Sequence, residues 1–136
     1  MSDVQILLIV LVLIFSSCLE GINNSLITAR KGFDAYIKGI IKNEHTLFVL
    51  QRGCFVLLFF ILLDWKNATI LSLIYALQFS FFHNGSYNES MRKLGNKNYS
   101  WTYTSSTSTA KLELNFVIRT FLLILAVLIL TYRLIN

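Results

Sequence analysis

Few side chains in this sequence can do acid–base or anion-binding chemistry, and the ones that can recur at comparable places. Glu20, Arg52, His83 and Arg119 each stand near one end of a long apolar stretch. Asn24 follows Glu20 by one helical turn, and Glu89 and Arg92 follow His83. A histidine or a raised-pKa glutamate moves protons near neutrality, and arginines match the geometry of phosphate oxygens. Glu20 and His83 are therefore the candidate proton-transfer residues. Glu20, Asn24, Arg52, His83, Glu89, Arg92 and Arg119 form the candidate polar cluster. The plainer reading of Glu20 is a hydrated carboxylate at a membrane surface, and that of Glu89–Arg92 an i,i+3 salt bridge on a wet helix.

No metal or cofactor is expected. His45 and His83 are the only histidines and fall in no HExxH pattern. Cys18 and Cys54 have no paired metal spacing and are too few for a disulfide framework. There is no Gly-rich phosphate loop and no nucleophile elbow.

The elements that must position these residues are apolar. Hydrophobic residues make up 55% of the chain and charged ones 14%, against roughly a quarter charged in soluble domains. Runs such as ILLIVLVLIF (6–15), CFVLLFFILL (54–63) and FLLILAVLIL (121–130) lack the polar outer face of a soluble bundle. A single domain of 136 residues has too little interior to hide them. The expected fold is all-α: an integral membrane four-helix bundle with spans at about 4–22, 46–63, 68–87 and 115–132. Helices are preferred over strands because the runs do not alternate, and an open sheet edge would leave backbone unpaired in lipid. DWKN (64–67) is short enough to force a helical hairpin between spans two and three. The apolar part of span three, 68–82, covers only about 22 Å as helix, so it must extend through His83 toward Tyr87 or sit where the bilayer is thinned; Asn84–Gly85 is an alternative helix end. The first run is expected to stay as a span, because Asp3 without Lys or Arg is a poor signal-peptide n-region.

The connections, about 23–45 and 88–114, carry Arg30, Lys31, Lys38 and Lys42, and Arg92, Lys93, Lys97 and Lys111. The opposite side has Lys66 and Arg133. That bias predicts cytoplasmic connections with both termini outside. In the first connection, apolar residues at helical spacing extend span one as helix or lay it on the membrane. In the second, Tyr99, Trp101 and Tyr103 alternate toward the headgroups if extended, and one of Thr107, Ser108 or Thr109 is expected to cap span four. Membrane lipids are the expected partners, with further copies or other membrane subunits; no basic patch suggests nucleic acid.

Two faces organise the candidate residues. Ser16, Glu20, Asn24 and Thr28 recur every fourth residue, and Arg119 shares a face with Asn115, Ala126 and Arg133. Three functions fit: a noncatalytic membrane protein working as an oligomer or assembly subunit; an ion channel or small transporter with a path lined by the Glu20 face; or a membrane-interface enzyme acting on a lipid or isoprenoid phosphate headgroup.

Overall fold

The computed structural model describes residues 1–31, 44–104 and 114–136. Four helices follow one another: α1 (Asp3–Lys31), α2 (Glu44–Leu62), α3 (Trp65–Lys93) and α4 (Phe116–Ile135), with no strand among the described residues. Their ends are chemically marked. Ser2 and Gln5 form a reciprocal capping box: the Ser2 amide donates to Gln5 Oε1 at 2.9 Å, and the Gln5 amide to Ser2 Oγ at 3.3 Å. Asp64 caps α3 by accepting from the Asn67 amide at 3.0 Å, and Asn115 caps α4 by accepting from the Ile118 amide at 2.9 Å. The cap of α4 is thus Asn115, while Thr107, Ser108 and Thr109 lie outside the described residues.

α3 does not stop at Asn84–Gly85. It runs to Lys93 and ends in a Schellman turn, with Gly95 at φ 103° and the Asn96 amide donating to Met91 O. α1 likewise continues past Ile22 to Lys31, so the segments 23–31 and 88–93 are helix rather than connection. Of the remaining connection residues, 94–104 form turns after α3, while 32–43 and 105–113 lie outside the described residues.

α3 is the central helix, packed against α1, α4 and, less extensively, α2. Its contacts with α1 advance in the same direction (Ser17 with Gln78, Asn24 with His83, Ser25 with Ser90), so these two helices are parallel. Contacts of α2 run oppositely (Phe55 with Tyr75, Arg52 with Phe79), as do those of α4 (Phe116 with Phe81, Arg133 with Asn67). The chain therefore goes up, down, up and down. One end gathers the α2–α3 turn and the start of α1; the other carries the distal ends of α1 and α3.

The apolar core lies toward the first of these ends, built on Ile6, Val10, Leu71, Ile74 and Ala126, with Phe59 and Leu63 of α2 against it. Toward the second end the interior turns polar, with Ser17, Glu20, Asn24, Ser25, Gln78, Ser86, Asn88 and Arg119 all buried. The exterior is the reverse: Leu8, Leu11, Val12 and Phe15 of α1 are exposed, as are Leu57, Ile61 and Leu62 of α2 and Val117, Phe121 and Leu128 of α4. α1 and α4 are each long and apolar enough to cross a membrane; the apolar stretch Val49–Leu62 of α2 is shorter, and α3 is the polar one.

Candidate functional site

Close approach of α1 and α3 creates the site. Ser17, Gly21 and Ser25 recur every fourth residue on α1, and Ser86 and Ser90 do so on α3. Small residues at this spacing let two helix backbones come together. At Gly21 the approach is so close that an added Cβ would collide with the His83 carbonyl oxygen and lie 2.5 Å from Ser86 Oγ. Hydrogen bonds close the seam above and below: Gln78 Nε2 donates to Ser17 Oγ at 3.1 Å, and Ser25 Oγ to Ser90 Oγ at 2.6 Å.

Glu20 is 8% exposed and faces Arg52 from α2. The guanidinium is bidentate, with Nε donating to Glu20 Oε2 at 3.1 Å and the second donor group to Oε1. Its carbon lies 3.8 Å above the Phe79 ring centroid, adding a cation–π contact. Phe79 stacks on His83 with centroids 4.9 Å apart. His83 Nδ1 is 2.9 Å from Asn84 Oδ1, a carbonyl that only accepts, so Nδ1 carries the proton. Nε2 then accepts from Asn24 Nδ2 at 2.9 Å, with Glu20 Oε1 at 3.8 Å, just beyond hydrogen-bond reach. Three helices thus bring Glu20, Asn24, Arg52 and His83 into one constellation.

The other candidates stand apart from it. Arg119 is 1% exposed and enters from α4 on another side of α3. It donates to Tyr103 O at 2.9 Å, the same carbonyl that accepts from Asn88 Nδ2 at 2.9 Å. It therefore pins the segment after α3 onto α3 and α4 and makes no contact with the Glu20 carboxylate. Glu89 and Arg92 pair with each other at 2.9 and 2.6 Å on an exposed surface. The Arg92 guanidinium beside it holds the Glu89 carboxyl below its ordinary range.

Tyr99, Trp101 and Tyr103 do not lie on an extended strand. Turns at Asn96–Tyr99 and Ser100–Tyr103 curl the segment so that Tyr99 and Tyr103 meet at 4.5 Å, while Trp101 packs over Gly85 and Phe81. The expected Ser16–Glu20–Asn24–Thr28 face is rotated toward Ser17 and Ser25, which are fully buried, whereas Ser16 and Thr28 are partly exposed.

Several interior polar residues were not anticipated as members of a site: Ser17, Ser25, Asn67 and Asn88. The four-residue spacing of Ser17, Gly21 and Ser25 was the available signal for the first two. Asn67 links the helix ends, donating to Asp64 Oδ2 at 2.5 Å and accepting from Arg133 Nε at 2.9 Å. Among the described residues no group of three His, Cys, Asp or Glu side chains forms a metal site, and Cys18 and Cys54 are free thiols.

Chemically, the constellation is a neutralising one. The carboxylate oxygens face the arginine, and both imidazole nitrogens face amides. Among the described residues the fold and site define an all-helical arrangement of four helices, with a part-buried ion pair at the junction of three of them. No family model, curated protein or solved structure matches the chain.

Proposed function

We propose that the chain is a four-span membrane protein acting as a noncatalytic subunit of a membrane assembly, either an oligomer of itself or a larger complex. The observation that carries this reading is the inverted distribution of polarity: buried Glu20, Asn24, Gln78, Asn88 and Arg119 inside a shell of exposed Leu, Val, Ile and Phe. In water such a shell would be a large unprotected apolar surface. In hydrocarbon it is the expected exterior, and ionisable groups face inward and pair.

The vertical spacing supports the same reading. Trp65 is exposed at the start of α3, and Trp101 packs on Gly85, 20 residues further along that helix. That separation is about 30 Å of helix, the thickness of a bilayer's hydrocarbon layer. Exposed Tyr132 joins Trp65 at one boundary, and Tyr99 and Tyr103 accompany Trp101 at the other, as interfacial aromatic belts do. α3 owes its low hydropathy to its central position, where its polar groups meet α1, α2 and α4 instead of lipid. The Lys/Arg bias then orients the Trp65 end outward and the Lys93 end toward the cytoplasm.

Mutual pairing at the Glu20 site favours assembly over the channel and lipid-enzyme alternatives. A water path would need the Glu20–Asn24 face open, and both residues are buried and engaged. A phosphate site would need arginine donors free of the carboxylate.

Membrane fractions washed with alkaline carbonate test the core of the proposal: the chain should stay in the pellet. In a C18S/C54S background, K66C should react with an impermeant maleimide in intact cells, and K97C only after permeabilisation. Release by carbonate sinks the membrane reading; reversed labelling sinks the orientation.

A further inference from the structure

One oxygen of the Glu20 carboxylate faces two groups that can carry positive charge. Arg52 donates to Glu20 Oε1 through its second donor group, and His83 Nε2 lies 3.8 Å from that same oxygen. With Nδ1 protonated against Asn84, Nε2 is the basic nitrogen of the ring, and the Asn24 amide donates to it at 2.9 Å. A proton taken up at Nε2 meets that amide donor to donor, so the contact breaks unless the amide turns over. It also sets a second cation beside the carboxylate that Arg52 already holds. Among the described residues, α1 presents Glu20 and Asn24 to this site, α2 presents Arg52 through Phe79, and Arg119 of α4 turns to Tyr103 O instead.

The two cation-capable groups differ in freedom. The His83 side chain is 13% exposed and stacks on Phe79, and its backbone carbonyl is held against Gly21. Arg52 is 28% exposed and belongs to a helix with no buried residue from Val49 to Leu62. It sits at the level of Phe79, six residues short of Gly85 on α3, about 9 Å of helix. From that depth an arginine extends toward the headgroups by snorkelling. A histidine ring has no such reach.

We propose that protonation of His83 exchanges the partner of Glu20: the carboxylate passes from Arg52 to His83 Nε2, and Arg52 withdraws to the cytoplasmic interface, freeing the inner part of α2 from α1. The carboxylate oxygen has to move only about 1 Å to reach hydrogen-bond length. Because that oxygen is shared, the movement takes it off the guanidinium. Two cations on one carboxylate leave an uncompensated charge in hydrocarbon, which is costly, and the mobile cation is the one that leaves. Histidine changes charge between about pH 5 and 8, so the Glu20–Arg52 pair is closed on the alkaline side of that window and open on the acid side. Tyr75, which feels both Glu20 and Arg52, stays a neutral phenol throughout it. The inference rests on the four-span reading for its low-dielectric surroundings and adds to it a response to cytoplasmic pH.

The test uses the full chain in lipid nanodiscs, in a C18S/C54S/H45Q background that leaves His83 as the only histidine. NMR of the nitrogen-labelled ring should show the Nδ1–H tautomer at about pH 8 and an imidazolium at about pH 5. Spin labels at L19C and L50C, exposed positions on α1 and α2, should move several ångströms apart on acidification, with the midpoint of the ring titration. H83Q should hold the shorter distance at both ends of the range, and R52Q should give a distance that does not change with pH. A ring that stays in one protonation state across the range, a distance that does not follow its titration, or a change that persists in H83Q would each overturn the inference. The first two readings leave the site unaltered, so the test stands even if H83Q fails to fold. Retention of the chain after alkaline carbonate, before reconstitution, shows that such a failure belongs to the exchange and not to the membrane reading.

Discussion

Two glycine-to-alanine substitutions add the same methyl group and should have opposite effects. At Gly21 the new Cβ meets the His83 carbonyl, which is backbone and cannot rotate away, and lies 2.5 Å from Ser86 Oγ. Ordinary contact begins at 3.4 Å, and the His83 oxygen is nearer still than the hydroxyl, so α1 and α3 must part locally by at least about 0.9 Å. The same displacement stretches the Asn24–His83 contact from 2.9 Å to about 3.8 Å, past hydrogen-bond range, and takes Ser25–Ser90 from 2.6 Å to its limit. Overpacking costs about 1–3 kcal/mol and each lost interhelical bond about 0.6 kcal/mol. The better helix propensity of alanine returns about 1 kcal/mol. The net for Gly21→Ala is a loss of about 2 kcal/mol. At Gly53 nothing lies within 4 Å of the added carbon, so Gly53→Ala should keep the propensity gain, about 0.5–1 kcal/mol. Unfolding in mixed micelles of increasing SDS fraction, followed by far-UV circular dichroism, separates the two. Equal midpoints for both variants would refute the close α1–α3 packing on which the site depends.

Three further outcomes are expected. Gly85→Ala should displace the Trp101 ring, a movable side chain, and so red-shift its emission in a W65F background with little loss of global stability. Glu20→Gln should destabilise by about 1–3 kcal/mol, below the roughly 3–5 kcal/mol of a fully buried broken pair because Arg52 is 28% exposed. Glu89→Gln, on the exposed surface, should leave the SDS midpoint unchanged, and equal midpoints for E20Q and E89Q would refute the special status of Glu20. The Asn67 amide holds the Asp64 carboxyl below its ordinary range, with the Asn67 side chain adding to the effect. Its stabilisation is therefore full above the unfolded-state value and is lost as pH falls through the lower folded value. Asp64→Asn keeps a capping side chain but does not titrate, so thermal midpoints measured from neutral to acid pH should fall less steeply than in wild type; identical slopes would remove Asp64 from the acid response.

The parts that were legible in the sequence are those set by spacing along one helix. Arg119, Ala126 and Arg133 recur every seven residues and do line one face: Arg119 and Ala126 are buried, and Arg133 reaches Asn67. Glu89 and Arg92 pair as i,i+3 spacing dictates. The shared level of Glu20, Arg52 and His83 could also be read, since each lies toward the same end of its apolar stretch. Which of them touch could not. That depends on the rotation and offset of one helix against another, and these are fixed by the Gly21 contact and the side of α3 that α4 occupies. Arg119 shares the level but approaches α3 from elsewhere, so it binds Tyr103 O. Gly85 misled for a related reason: a glycine beside an asparagine reads as a helix stop, whereas here it is the socket for Trp101 from a segment 16 residues later.

The same dependence explains why α3 is the least apolar helix and yet the centre of the fold. Hydropathy is assigned to a helix alone, but only the surface left after packing meets the solvent. Gln78 and Asn88 of α3 are each covered, and the polar groups that cover them come from its neighbours: Ser17 beneath Gln78, and the Tyr103 carbonyl over Asn88. Asn24 and Asn84 divide the two nitrogens of His83 between them. Moving one of these groups to an apolar residue therefore leaves its partner on another helix unsatisfied, while exchanging both members of a pair need not. Polar residues in this interior act in matched sets, and the sets tie α3 to α1, to the segment after it and to α4.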